Sequence, residues 1–239
     1  MRLSARLEAA LLTRPPRLLH ALLPGCEWTA SPATPAGVPA IYLTFDDGPI
    51  PEETPWVLEQ LAQYDARAAF FCVGENLRRY PDIARATLAA GHRLGNHTQH
   101  HRSAWALNRA AYLAEVTECE TVVSELLRAS QLPALAASVA EKGAIADIRP
   151  IFRPPYGRLT RPLLPILQAK YRLVMWSVLT RDYDPGLSPE SCLRHTLAAV
   201  RPGDILVFHD SRKASARLRF VLPRVLAHFA ERGFQFAAL

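Results

Sequence analysis

Apolar and polar positions along this chain fall into short hydrophobic runs separated by longer stretches with helical spacing, a rhythm that predicts repeated strand–helix units. The runs at residues 41–45, 68–73, 93–96, 151–153, 172–178, 204–208 and 234–239 are the strand candidates. Helix starts are marked where a capping residue is followed by proline in the first turn: Thr54 with Pro55, Thr160 with Pro162, and Ser188 with Pro189. A long helix is predicted over residues 108–128, and Gly91 and Gly233 are placed to stop helices. Short parallel strands joined by helices must be covered on both faces, which an open doubly wound sheet and a closed barrel both achieve. Asp46, His97, Arg153, Asp182 and His209 each stand at or just beyond the end of a different run. Barrels collect chemistry in that way, from several strands at the C-terminal mouth, so the expectation is an α/β fold, a distorted (β/α)7 barrel forming a single domain.

Two stretches depart from the rhythm. Residues 24–40 carry four prolines, Pro24, Pro32, Pro35 and Pro39, and with the residues before them read as a leader, 1–40, packing on a catalytic domain of residues 41–239. Residues 131–147 are Ala-rich and aperiodic, an expected insertion between the long helix and the fourth strand. Near the N-terminus Arg14, Pro15, Pro16 and Arg17 interrupt the apolar stretches before a signal core or a spanning helix forms. The expected location is therefore the cytoplasm, and residues 18–23 are expected to pack on the domain, with peripheral membrane contact as the alternative.

Composition narrows the classes. With 239 residues, 49% of them hydrophobic and 21% charged, the chain can bury one large core. Its net charge of +6 comes from basic residues scattered along the chain, and three of the 28 are Lys, which argues against a nucleic-acid surface. Cys26, Cys72, Cys119 and Cys192 form no CxxC pair, so neither a zinc ribbon nor a disulfide scaffold is expected.

Four motifs carry chemistry. Thr44-Phe45-Asp46-Asp47-Gly48-Pro49 ends an apolar run with two adjacent carboxylates, which repel unless a cation or partner offsets them; a solvated turn is the alternative. In His97-Thr98-Gln99-His100-His101, a helical turn puts His97 and His101 on one face, spaced to converge on a metal ion, with His100 pointing elsewhere. A carboxylate plus two imidazoles leaves open positions, as a catalytic ion requires. Phe152-Arg153-Pro154-Pro155-Tyr156-Gly157 makes a rigid turn able to aim a guanidinium and a backbone N–H, the alternative being a plain Pro turn with a surface Arg. Finally, Ile205-Leu206-Val207-Phe208-His209-Asp210 delivers His209 at the mouth of a buried strand.

Together with residues 176–183, these motifs in this order resemble the polysaccharide deacetylases, the NodB-homology domain of carbohydrate esterase family 4, and the resemblance covers residues 41–239. It implies a metal-dependent hydrolase that removes N-acetyl groups from an acetylated amino-sugar glycan, with an acetylated carbohydrate as partner, no nucleic acid and no transmembrane segment. An O-acetyl esterase, a small-molecule amidohydrolase, or a non-catalytic carbohydrate-binding relative are the alternatives on that scaffold. By the same resemblance Asp46 is the general base, and Asp47, His97 and His101 hold one divalent ion, zinc by default with cobalt, nickel or manganese as alternatives. Arg153 orients the base, Asp182 is the acidic partner of that arginine, and His209 is the general acid. The Tyr156 N–H helps hold the oxyanion, and Trp176, Tyr183 and Val207 lie on the substrate side. Leu179 stands where the family carries an acid, Tyr183 where it carries Trp, and Val207 where Leu is usual, which bears on specificity more than on catalysis. Asp204 reads only as a turn residue.

Overall fold

The structure, a computed structural model, describes residues 13–130 and 149–239; the insertion expected at 131–147 lies outside them. In chain order its elements are α1 (Arg17–Leu22), β1 (Ala40–Asp46), α2 (Thr54–Ala62), β2 (Ala68–Cys72), α3 (Gly74–Arg79), α4 (Pro81–Ala89) and β3 (Arg93–Asn96). There follow α5 (Arg109–Ala129), β4 (Ile151–Phe152), two 3-10 turns, α6 (Leu164–Gln168), β5 (Arg172–Leu173), β6 (Val178–Leu179), α7 (Pro189–Ala199), β7 (Ile205–His209), α8 (Ser215–Ala230) and β8 (Gln235–Phe236). The ladder runs β5-β4-β3-β2-β1-β7-β6, all parallel, with β8 added beside the start of β1. It is a curled sheet of the distorted barrel type, a single domain, as the strand ends suggested.

Alternation along the strands explains the two layers. In β1, Ile41, Leu43 and Phe45 join the large core under the helices, where Phe70, Leu206, Phe208, Val221 and Leu222 also pack. Ala40 and Tyr42 face the barrel interior with Ala69, Phe71, Ile151, Val174 and Ile205. The same period of two carries Thr44 and Asp46 of β1, and Val207 and His209 of β7, onto the interior face. The register sets Thr44 beside Val207 and Asp46 beside His209. Every residue of β1 is buried, which is why it reads as a continuous apolar run until the chemistry begins at its end.

Of the three expected caps only Ser188 makes its bond, accepting from the Ser191 N–H; Thr54 is instead the first residue of α2, and Thr160 precedes a 3-10 turn without a side-chain cap, while Asn108 caps α5 by accepting from the Ala111 N–H. The run predicted as one strand over 172–178 is two short strands, β5 and β6, because between them the chain turns to the leader, the Met175 N–H donating to the Glu27 carbonyl at 2.7 Å. The described part of the leader, residues 13–40, lies along this side of the barrel. Glu27 bridges Val174, Thr29 bridges Asp204, and Arg14 forks onto the buried Asp204 at 2.7 and 2.9 Å. Asp204 is thus an anchor, not merely a turn residue. His20 stacks on Trp28 and Leu23 packs on the core beneath, but Leu18 and Leu22 are exposed, so packing of the whole 18–23 stretch is not what the structure shows. Among the described residues no helix is long and apolar enough to cross a membrane.

Candidate active site

At the C-terminal mouth the ends of β1, β3, β4, β6 and β7 bring together the residues singled out above. Asp46 closes β1 and Asp47 follows it, turned outward by a left-handed backbone with φ of 83°. His97 follows β3 directly. The segment from His97 to His101 is a bent loop and not the helical turn expected, with positive φ at Thr98 (66°) and His101 (54°). Convergence of the two imidazoles is achieved by that strained loop: the Asn96 side chain caps the Thr98 N–H at 2.9 Å and is itself tied to the Val116 carbonyl at 2.8 Å. Tyr156, at φ 61°, and Arg181, at 62°, add further left-handed residues around the mouth. Such backbone persists only where its surroundings enforce it, and here it clusters at the chemistry.

Asp47, His97 and His101 offer ligand atoms that all lie within 4.8 Å of one another. The Asp47 Oδ1 is 3.2 Å from His101 Nε2 and 3.8 Å from His97 Nε2. Two further observations fit a cation here. His97 Nδ1 lies 2.7 Å from the Arg153 carbonyl, so this nitrogen donates and Nε2 keeps its lone pair toward Asp47. Burial, ahead of the neighbouring charges, lowers His97 to about 4, leaving a neutral imidazole suited to ligation. His100 instead turns to Glu115, 3.0 Å away, and stays out of the trio as expected.

Asp46 is set apart from that trio by its partner. Arg153 is fully buried and lies over the Phe71 ring, its Cζ 4.1 Å from the centroid. It donates to Asp46 Oδ1 at 2.6 Å, to Thr44 Oγ1 at 2.7 Å, and to the carbonyls of Val174 and Met175 at 3.1 and 2.8 Å. Burial alone would raise the Asp46 carboxyl, but the Arg153 guanidinium, with His97 and His209, outweighs it and holds Asp46 below the usual carboxylate range.

One expected pairing is overturned. The carboxylate of Asp182 belongs to His209 and not to Arg153: its oxygens accept from the His209 backbone N–H at 2.8 Å and sit 2.7 Å from Nδ1. The geometry explains why, since Asp182 follows β6 and His209 ends the adjacent β7, whereas Arg153 reaches inward from β4 on the opposite side of β1. Burial would lower His209, but the Asp182 carboxylate overrides it and raises the imidazole to about 9, so the ring is charged at neutral pH with Nε2–H free to donate.

The remaining predicted residues surround this core. The Tyr156 ring tilts against His101 with centroids 4.7 Å apart. Tyr183 stands edge-on to His209 at 4.9 Å. Trp176 is half-buried beneath the Tyr156 turn, so close that a Cβ on Gly157 would lie 2.5 Å from its ring, and Val207 is buried two residues below His209 beside Leu179.

Sequence reading missed the supports. The Asp210 carboxylate, fully buried, accepts from the Gly48 N–H at 3.0 Å and the Thr54 hydroxyl at 2.6 Å, and the Asn76 side chain donates to the Asp47 carbonyl at 2.8 Å. These hold the loop that carries Asp47. Asp210 stood in plain view next to His209, but nothing in its spacing predicted a partner 162 residues away.

Comparison with known proteins agrees with this geometry. The polysaccharide deacetylase family matches residues 33–173, well over half of the chain. The chain is 34% identical over 215 residues to a chitooligosaccharide deacetylase of Sinorhizobium fredii, covering 85% of this chain and 91% of that one. It is 30% identical over 203 residues to a peptidoglycan-N-acetylglucosamine deacetylase of Bacillus cereus, covering 83% and 85%. A solved peptidoglycan N-acetylglucosamine deacetylase in complex with 4-naphthalen-1-yl-N-oxidanyl-benzamide superposes with a TM-score of 0.71 at 25% identity, over 92% of this chain and 93% of that one. With the family matched across the strands that carry Asp46, His97 and Arg153, and relatives matched over nearly their whole length, this chain belongs to the polysaccharide deacetylase family.

Proposed function

We propose that the protein is a metal-dependent deacetylase that hydrolyses N-acetyl groups on a glycan containing N-acetylglucosamine. The observation that carries this reading is the division of labour at the mouth: a convergent Asp47, His97 and His101 trio, an ionised Asp46 outside it, and a protonated His209. The names of the relatives support the substrate class.

Asp47, His97 and His101 would hold a divalent ion, zinc by donor type, which would supply Lewis acidity toward a water and an acetyl carbonyl. Asp46, held ionised by Arg153, removes the proton of the attacking water. Arg153 gives its other donors to Thr44 and two carbonyls, which fixes the guanidinium and through it the Asp46 carboxylate. The Tyr156 N–H donates to the developing oxyanion, where such a donor is typically worth about 3 kcal/mol. His209 passes its Nε2 proton to the departing amine nitrogen as the C–N bond breaks, while Asp182 holds the ring by Nδ1. Tyr183, edge-on to His209, walls off the acid on the substrate side.

The test is acetate release from N-acetylated chitooligosaccharides, O-acetylated xylan and simple amides, before and after chelation and reloading with zinc or cobalt. Activity on the N-acetylated glycan, lost on chelation and restored by metal, is expected. Asp46→Asn should lose at least about a hundredfold in kcat while still binding metal. Full activity in metal-free protein, or in Asp46→Asn, overturns the mechanism; preference for the xylan moves the activity to ester hydrolysis.

A further inference from the structure

Beside the catalytic mouth the surface carries two large aromatic rings in solvent: Trp105 is 65% exposed and Tyr156 60%. Two such rings close together beside a site form an apolar surface of the kind that contacts a ligand. Between them lies Arg158. Its guanidinium carbon is 4.7 Å from the Trp105 ring centroid and 5.5 Å from that of Tyr156. Both rings are tied to the fold. The Trp105 indole N–H donates to the Leu159 carbonyl at 3.2 Å, its backbone N–H is held by the Ser103 hydroxyl at 3.2 Å, and Tyr156 leans on His101 at 4.7 Å. A continuous wall therefore runs from His101 through Tyr156 and Arg158 to Trp105.

We infer that this wall is a subsite for the sugar adjoining the acetylated one, and that Arg158 selects a carboxylate on that sugar. The inference rests on the deacetylase reading and deepens it. Stacking occupies the flat face of a guanidinium, while its N–H donors point outward in the plane, where they match the two oxygens of a carboxylate. Among the described residues the Arg158 guanidinium has the two rings as its contacts and neither an acid nor a hydrogen-bond acceptor. Contact with the two rings restricts its rotamers, so less ordering is needed on binding than for a free side chain. The aromatic faces supply apolar contact to the sugar ring, and the cation between them distinguishes a charged sugar from a neutral one.

The test compares kcat/KM for a neutral N-acetylglucosamine tetramer with that for an oligomer in which the N-acetylglucosamine adjoins a sugar bearing a lactyl-ether carboxylate. The parent enzyme should favour the charged oligomer by about tenfold, and the preference should fade as salt is raised. Arg158→Gln should bring the ratio of the two values close to one, largely through KM, with an unchanged melting temperature. Arg158→Lys should restore part of it, since charge returns without the fork. Trp105→Ala should raise KM for both oligomers. Equal parent values for the two oligomers, or a parent-like ratio in Arg158→Gln, overturns the subsite while leaving the deacetylase reading intact. Failure of the parent to release acetate from either oligomer overturns the deacetylase reading, and the subsite with it.

Discussion

Replacing Asp182 by Asn isolates the His209 pair. Asp182 is fully buried, and its two oxygens are spent on the backbone N–H and Nδ1 of the same residue. An amide offers one acceptor and one donor pair. Its oxygen keeps the backbone N–H, so its nitrogen faces Nδ1 and favours the neutral ring with the proton on Nε2. His209 stands at about 9 against an ordinary 6.5 although burial works against that rise, and the Asp182 carboxylate is its main cause, with Asp47 and Asp46 adding to it. Without it burial is opposed only by the charges of Asp47 and Asp46, and the ring gives up its proton more readily. The basic limb of the kcat/KM profile, where His209 loses its proton, should move to lower pH in the variant. At neutral pH the loss should be roughly a hundredfold or more. A bound cation lowers the ring in parent and variant alike, so their difference is the readout, checked by acetate release across pH and by following the His209 ring proton by NMR. Stability has a matching sign. Because the folded value is raised, the stabilisation is complete below about pH 6.5 and is lost as pH rises through about 9, a decline that Asp182→Asn should not show. A His209 titration identical in both proteins refutes the assigned pairing.

Arg153→Met should destabilise the fold by about 3–5 kcal/mol, because it strands the buried Asp46 carboxylate, and thermal melts should show the loss easing as pH falls and Asp46 takes a proton. Gly48→Ala places a Cβ 2.0 Å from the Asp210 carboxylate, so the Asp47 loop must shift; the expected result is metal affinity weakened by about tenfold or more, measured by competition with a chromogenic chelator. Asp204→Asn, which leaves Arg14 without its carboxylate, should loosen the leader by about 1–3 kcal/mol and appear as faster amide exchange around Thr29, with acetate release unchanged.

The linear chain already carried the barrel and most of the mouth. A period of two in β1 and β7 assigns each side chain to one of two layers without any knowledge of neighbours, and the polar residues that break the apolar runs at Asp46, His97, Arg153 and His209 therefore had to lie at strand ends. Pairing and support were decided only in three dimensions. Asp182 could be seen as important, but its attachment to His209 and not to Arg153 depends on β6 lying beside β7, a ladder order that no local pattern encodes. The His97–His101 loop reads as a helical turn from spacing; tertiary ties from Asn96 to Val116 hold it in left-handed conformations that propensity disfavours. Asp210 and Arg14 became legible only through partners far away in the chain, because hydrogen bonds between distant segments leave no period in the sequence, whereas burial on one face of a strand does.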